Sequence, residues 1–87
     1  MILQVFAIRD RATDSFGNPV FAFSAGQAIR SFSDEINRSD AQNPYFAHPD
    51  DYDLYLLGDY DTSSGKFVTS DPQQVAIGKM VKINGKE

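Results

Sequence analysis

Residues 48–61, His48-Pro49-Asp50-Asp51-Tyr52-Asp53-Leu54-Tyr55-Leu56-Leu57-Gly58-Asp59-Tyr60-Asp61, constrain the fold more than any other stretch of the chain. A short acidic turn feeds directly into an aromatic, leucine-rich run. Asp61-Thr62-Ser63-Ser64-Gly65 then supplies turn residues, and a second β-rich run begins at Lys66. Two such runs around a short glycine-containing turn predict a β-hairpin. Strict alternation puts Leu54, Leu56 and Tyr60 on one side, expected to be core. Asp53, Tyr55, Leu57 and Asp59 fall on the other, mixed side.

The rest of the chain supplies what this hairpin can pair with. Ile2, Phe6 and Ile8 fall on one face of a predicted strand over 2–9, and Leu3, Val5 and Ala7 on the other. Apolar residues on both faces predict a central strand covered on two sides. Phe16-Gly17-Asn18-Pro19 is turn chemistry, and Val20–Phe23 reads as a short strand whose proline sits at its start or on an edge. Ser24 can cap a helix and Gln27, three residues on, can reach back. Ala25, Ala28, Ile29, Phe32 and Ile36 then form one stripe at helical spacing, predicting an amphipathic helix over 25–38 with Asp34 and Arg38 paired on its outer face.

Between that helix and the hairpin, Pro44, Tyr45 and Phe46 suggest a loop that folds back onto something apolar, and Pro49 can open a single helical turn. Strands are expected at about Tyr52–Tyr60 and Lys66–Ser70. Residues 73–83 fit either strand or helix, with Val75, Ile77, Val81 and Ile83 favouring strand and Gly78 disfavouring helix. The sum is one α+β domain over 1–87, an antiparallel sheet of about four strands in β-β-α-β-β order with one amphipathic helix on a face. The second apolar face of the first strand asks for cover. A homodimer or another protein partner is expected there, with Val5, Ala7 or Tyr55 near the contact.

Composition narrows the chemistry. Without cysteine there is no disulfide, zinc–thiolate site or iron–sulfur cluster, and the one histidine, His48, cannot build a metal site alone. Asp59, Asp61, Ser63 and Gly65 imitate the start of a calcium loop, but no glutamate closes it. His48 beside Asp50 lacks a nucleophile, no serine sits in an elbow motif, and the glycines form no phosphate-binding loop. No enzyme, cofactor or metal is therefore expected. The apolar start, Met1–Ile8, is too short to span a bilayer, so no membrane role is expected. The formal charge is −4, and all of the excess lies between residues 39 and 61, which hold six aspartates and no base.

Single-strand nucleic-acid binding needs bases in a groove and rings on which nucleobases stack. The candidates are Arg9, Arg11, Arg30, Lys66, Lys79 and Lys82 for phosphate, and Tyr45, Tyr55, Tyr60 and Phe67 for stacking. The plainer alternative is that these rings are core and these bases solvated, since the acidic block repels phosphate.

Three separated blocks carry a resemblance. They are Ile8-Arg9-Asp10 with Phe16-Gly17-Asn18-Pro19-Val20-Phe21-Ala22; Ala28-Ile29-Arg30-Ser31-Phe32; and His48-Pro49-Asp50-Asp51-Tyr52-Asp53-Leu54-Tyr55 with Gly58, Asp61, Gly65 and Lys66. In order and spacing, over about residues 5–70, the chain resembles the small nonstructural protein of gokushovirus-type microviruses, phages with circular single-stranded DNA genomes. The resemblance implies a non-enzymatic protein of the host bacterium's cytoplasm that binds single-stranded DNA and supports viral DNA synthesis or packaging. Arg9, Arg30 and Lys66 match family positions suited to phosphate. The alternative is a regulator that acts on a replication or capsid protein without touching DNA.

Overall fold

The first apolar run is the centre of the sheet, as its two-sided composition demands. The computed structural model describes residues 1–83. Strand β1 (Ile2–Asp10) is followed by β2 (Ser15–Phe16), β3 (Val20–Ala22), helix α1 (Ala25–Ile36), a helical turn α2 (Pro44–Ala47) and a 3-10 turn (Pro49–Asp51). Strands β4 (Tyr52–Asp61) and β5 (Lys66–Ile77) form the hairpin, and a helical turn α3 (Gly78–Val81) follows. All pairings are antiparallel. β4 runs the whole length of β1, from Ile2 opposite Asp61 to Asp10 opposite Tyr52. β2 and β3 therefore share the other edge of β1 as two short pieces, with Phe16 opposite Arg9 and Phe21 opposite Val5. β5 lies outside β4.

Helix α1 closes one face. Ser24 accepts a hydrogen bond from the Gln27 amide at 3.2 Å, and the Gln27 side chain accepts from the Phe23 amide at 2.7 Å, one residue earlier than a capping box predicts. Its stripe packs as expected. Ala28, Phe32 and Ile36 are buried against Phe6, Ala22 and Leu54, with Ile8, Leu56, Tyr45 and Tyr52 around them. Phe32 is 3% exposed. The helix ends at Ile36, two residues early. There the Asn37 side chain donates to the Ser33 carbonyl and to the Val81 carbonyl, which ties α3 to the end of α1. Arg38 pairs with Glu35 at 2.7 Å and Asp40 at 3.1 Å rather than with Asp34, because it lies past the last helical turn.

Irregular pairings correct strict alternation. The ladder between β1 and β4 shifts between Val5 and Phe6, leaving Leu57 as an extra residue: Phe6 faces Leu56 while Val5 faces Gly58. Beyond that bulge every side chain of β4 changes face. Tyr60 thus joins Tyr55 on the face away from α1, whereas Asp59 and Asp61 register with Gln4 and Ile2 on the helix side. β5 continues well past Ser70. It absorbs Pro72 because the pairing jumps from Leu56–Gln73 to Gly58–Thr69, so Pro72 stands in a stretch with no ladder partner. The ambiguous segment is strand as far as Ile77 and helical from Gly78, which is buried against the backbone of Pro49 and Tyr52.

Candidate nucleic-acid interface

The face away from α1 is built in rows that the register defines. The first row runs Phe16, Arg9, Asp53, Ile77 across β2, β1, β4 and β5. The next holds Ala7, Tyr55 and Gln74, then come Phe21, Val5, Gly58 and Thr69, and then Leu3, Tyr60 and Phe67. The middle of β1 carries small side chains here, flanked by rings on both sides. Phe16 meets Tyr55 edge-on at 5.4 Å and Phe21 meets Tyr60 edge-on at 5.5 Å, so each pair arches across β1. Val5 and Ala7 are buried beneath them. The cover that the second apolar face asked for comes in good part from the chain's own rings. Phe67 extends the set, 4.8 Å from Tyr60 and 6.2 Å from Phe21. Phe16, Phe21 and Phe67 remain 43%, 48% and 55% exposed. A ring of about 200 Å² left half open contributes about 100 Å², so the row presents a patch of a few hundred Å².

Charge is distributed unevenly around this face. Arg9 lies within it, its guanidinium ion-paired with Asp14 and beside the Tyr55 hydroxyl; Asp14 first, then Tyr55, holds the arginine more firmly charged than usual. Arg11 reaches from the loop after β1 to the Asp50 carbonyl and to the Asp53 carboxylate, with its Nε 3.4 Å from Oδ2. Gln74 donates to the same Oδ2 at 3.3 Å. Asp53 is 1% exposed, and its Oδ1 has no hydrogen-bond partner among the described residues. An unpaired buried polar atom costs about 1–3 kcal/mol, more when charged.

The structure divides the residues nominated from sequence. Arg9, Tyr55, Tyr60 and Phe67 share the open face, with Arg11 at its end. Arg30 is on the exposed side of α1, and Lys79 is exposed in α3. Lys66 registers with Asp61 at the hairpin tip, on the helix side. Lys82 is structural: its ammonium donates to the Ile36 and Phe46 carbonyls and sits 3.4 Å from the Phe46 ring centre. Tyr45 packs edge-on against Tyr52 at 4.6 Å beside the core, far from the open row. Sequence reasoning missed Phe16 and Phe21, whose sole signal was a phenylalanine on either side of the Gly17–Pro19 turn.

A groove of about 680 Å³ lies where β3 is too short to close the space beside α1, lined by Phe23, Phe32 and Tyr45 among others. No group of metal-binding side chains is present among the described residues, and no helix there is long and apolar enough to cross a membrane.

Residues 3–83 match the family described as Phage ORF5 protein. The chain belongs to that family. It is 33% identical over 80 residues to Protein ORF5 of Chlamydia phage 1, covering 88% of this chain and 82% of the relative. A small phage protein of the microvirus type is thus established, in agreement with the resemblance carried by the three sequence blocks. No solved structure matches this ORF5 family member.

Proposed function

We propose that this ORF5 family member is a non-enzymatic protein that binds single-stranded DNA across the open face of its sheet, in the cytoplasm of the infected bacterium, and so supports viral DNA synthesis or packaging. One observation carries the reading: two groups of rings, Phe16 with Tyr55 and Phe21 with Tyr60 and Phe67, stand on the face from which the bulge at Leu57 removes Asp59 and Asp61. Rings on an open sheet suit unpaired bases, which stack on any π-face, and a strand lying there avoids those two carboxylates. Arg9 and Arg11 supply cations at one end. With a net charge of −4, affinity is modest and confined to low ionic strength.

Fluorescence anisotropy with labelled oligo-dT at low salt tests this. Tyr60→Ala and Phe67→Ala should each weaken binding by about 1–3 kcal/mol, and affinity should fall log-linearly with salt. No binding by the folded wild type rejects it. A second reading rests on Ile2, Val20 and Val68, each more than half exposed on the helix side. α1 spans only about 18 Å, against about 40 Å for β5, so it leaves part of that face bare. On this reading the chain regulates a replication or capsid protein. A charge introduced by Val68→Asp would then disrupt that complex while oligo-dT shows no binding.

A further inference from the structure

The buried carboxylate at the end of the ring row is partnered at only one of its two oxygens. Asp53 stands between Arg9 and Ile77 on the open face, one row from Tyr55. Both donors it has, Arg11 at 3.4 Å and Gln74 at 3.3 Å, are long contacts to a single oxygen, and Oδ1 is left without a donor. Those two side chains are also exposed, Arg11 at 49%, so either can lift without disturbing the core. Beside them the edge-on pair Phe16–Tyr55 offers a surface for one base.

We propose that Asp53 is a base-reading residue that selects guanine at this end of the row. The proposal rests on the single-strand reading above. An ionised carboxylate only accepts hydrogen bonds and takes two parallel donors best. Among the four DNA bases, the Watson–Crick edge of guanine alone presents two adjacent donors, N1–H and the exocyclic N2–H. Thymine offers one N–H flanked by two carbonyl oxygens that repel a carboxylate. Adenine and cytosine each offer one amine beside an acceptor nitrogen. In a single strand that edge is free to be read. A guanine stacked at Tyr55 turns this edge toward Asp53, displaces Arg11 or Gln74, and donates to both carboxylate oxygens. The displaced Arg11 guanidinium then faces the phosphate of the bound strand.

The test is anisotropy at low salt with the full chain and short oligo-dT strands. One central position carries thymine, guanine, hypoxanthine, adenine or 7-deazaguanine. The guanine strand should bind about tenfold tighter than the thymine strand or better. Hypoxanthine, which keeps N1–H but lacks the amine, should lose most of the gain, and 7-deazaguanine, whose Watson–Crick edge is intact, should keep it. Asp53→Asn should bring the guanine strand to the level of the thymine strand measured on the same variant. Equal affinity for all strands overturns the proposal and leaves single-strand binding standing; so does a guanine preference that survives in folded Asp53→Asn. If that variant does not fold, the base series on the wild type decides alone. If no strand binds, this proposal and the single-strand reading both fall. Base-independent binding combined with Asp53-dependent capture of a lysine-rich peptide overturns it in favour of a protein ligand.

Discussion

Replacing Gly58 by alanine should destabilise the fold by more than its size suggests. Gly58 follows the bulged Leu57 with φ 150°, and a Cβ placed there would lie 2.3 Å from the Val68 carbonyl oxygen and 2.9 Å from the Thr69 Cα. Both obstacles are backbone of the neighbouring strand, so no side chain can rotate away. Backbone strain at such a φ is worth about 1–3 kcal/mol. Moving β5 by about 1 Å adds about 1–2 kcal/mol for weakened ladder hydrogen bonds. The total is about 2–5 kcal/mol, against about 4–13 kcal/mol expected for a domain of this length. Gly65 is the control. It too has positive φ, 74°, but nothing stands within 4 Å of its would-be Cβ, so Gly65→Ala should cost only about 1–2 kcal/mol. Urea unfolding followed by far-ultraviolet circular dichroism separates the two. Equal losses for both variants, or a loss below about 1 kcal/mol for Gly58→Ala, would refute the close approach of β4 and β5 at the bulge.

Phe32→Ala should cost about 3–5 kcal/mol in the same assay, because the ring is enclosed between α1 and the sheet, and a nearly unchanged melting point would show that α1 does not pack as described. Phe67→Ala, with the ring 55% exposed, should change stability by less than about 1 kcal/mol while weakening binding to oligo-dT, a split that purely structural rings would not give. Ser24→Ala should cost about 0.5–2 kcal/mol through loss of the cap, read as a lower urea midpoint with an unchanged slope. Stability should also decline in acid. The Ser63 amide chiefly, then the Ser64 hydroxyl and the N-terminal ammonium, hold Asp61 below its ordinary value of 3.8, and the Gln42 amide chiefly, then Arg38, does the same for Asp40. Their contribution is complete above that value and is lost as pH falls below it through the folded-state values, so a melting temperature that stays flat on acidification below pH 3.8 would contradict these contacts.

The elements legible in sequence were those whose signal is local. The two-sided apolar pattern of 2–9, the capped stripe of α1 and the strand–turn–strand around Gly65 each depend on residues close together, and each formed within a residue or two of expectation except at the far end of β5, which runs on from Ser70 to Ile77. The bulge was not legible, although Gly58 inside a strand is its usual mark. An extra residue becomes necessary only once β1 is laid against β4, and its consequence, the transfer of Tyr60 to the open face, follows from that pairing alone. The continuation of β5 past Ser70 was hidden for a related reason: the jump in pairing that leaves Pro72 without a ladder partner exists only once β5 is laid against β4. Phe16 and Phe21 could not be assigned to the ring row before β2 and β3 were known to flank β1. The burial of Asp53 depends on Arg11 and Gln74, which are far from it in sequence.

The pairing of β1 with β4 also sets an order of events on the ribosome. β1 is the first element made, yet its full-length partner is β4, reached only after the chain has grown by roughly forty to sixty further residues. Until then its one available mates are the two short pieces β2 and β3, which cover one edge. At about 5–20 residues per second this apolar strand waits several seconds with an edge unpaired. Closure of the sheet's centre therefore comes after α1 has been made and has had time to form. Substitutions along β1 that leave the native state intact should then act first on the yield of folded chain in the infected cell, through the interval in which that strand is complete and still alone.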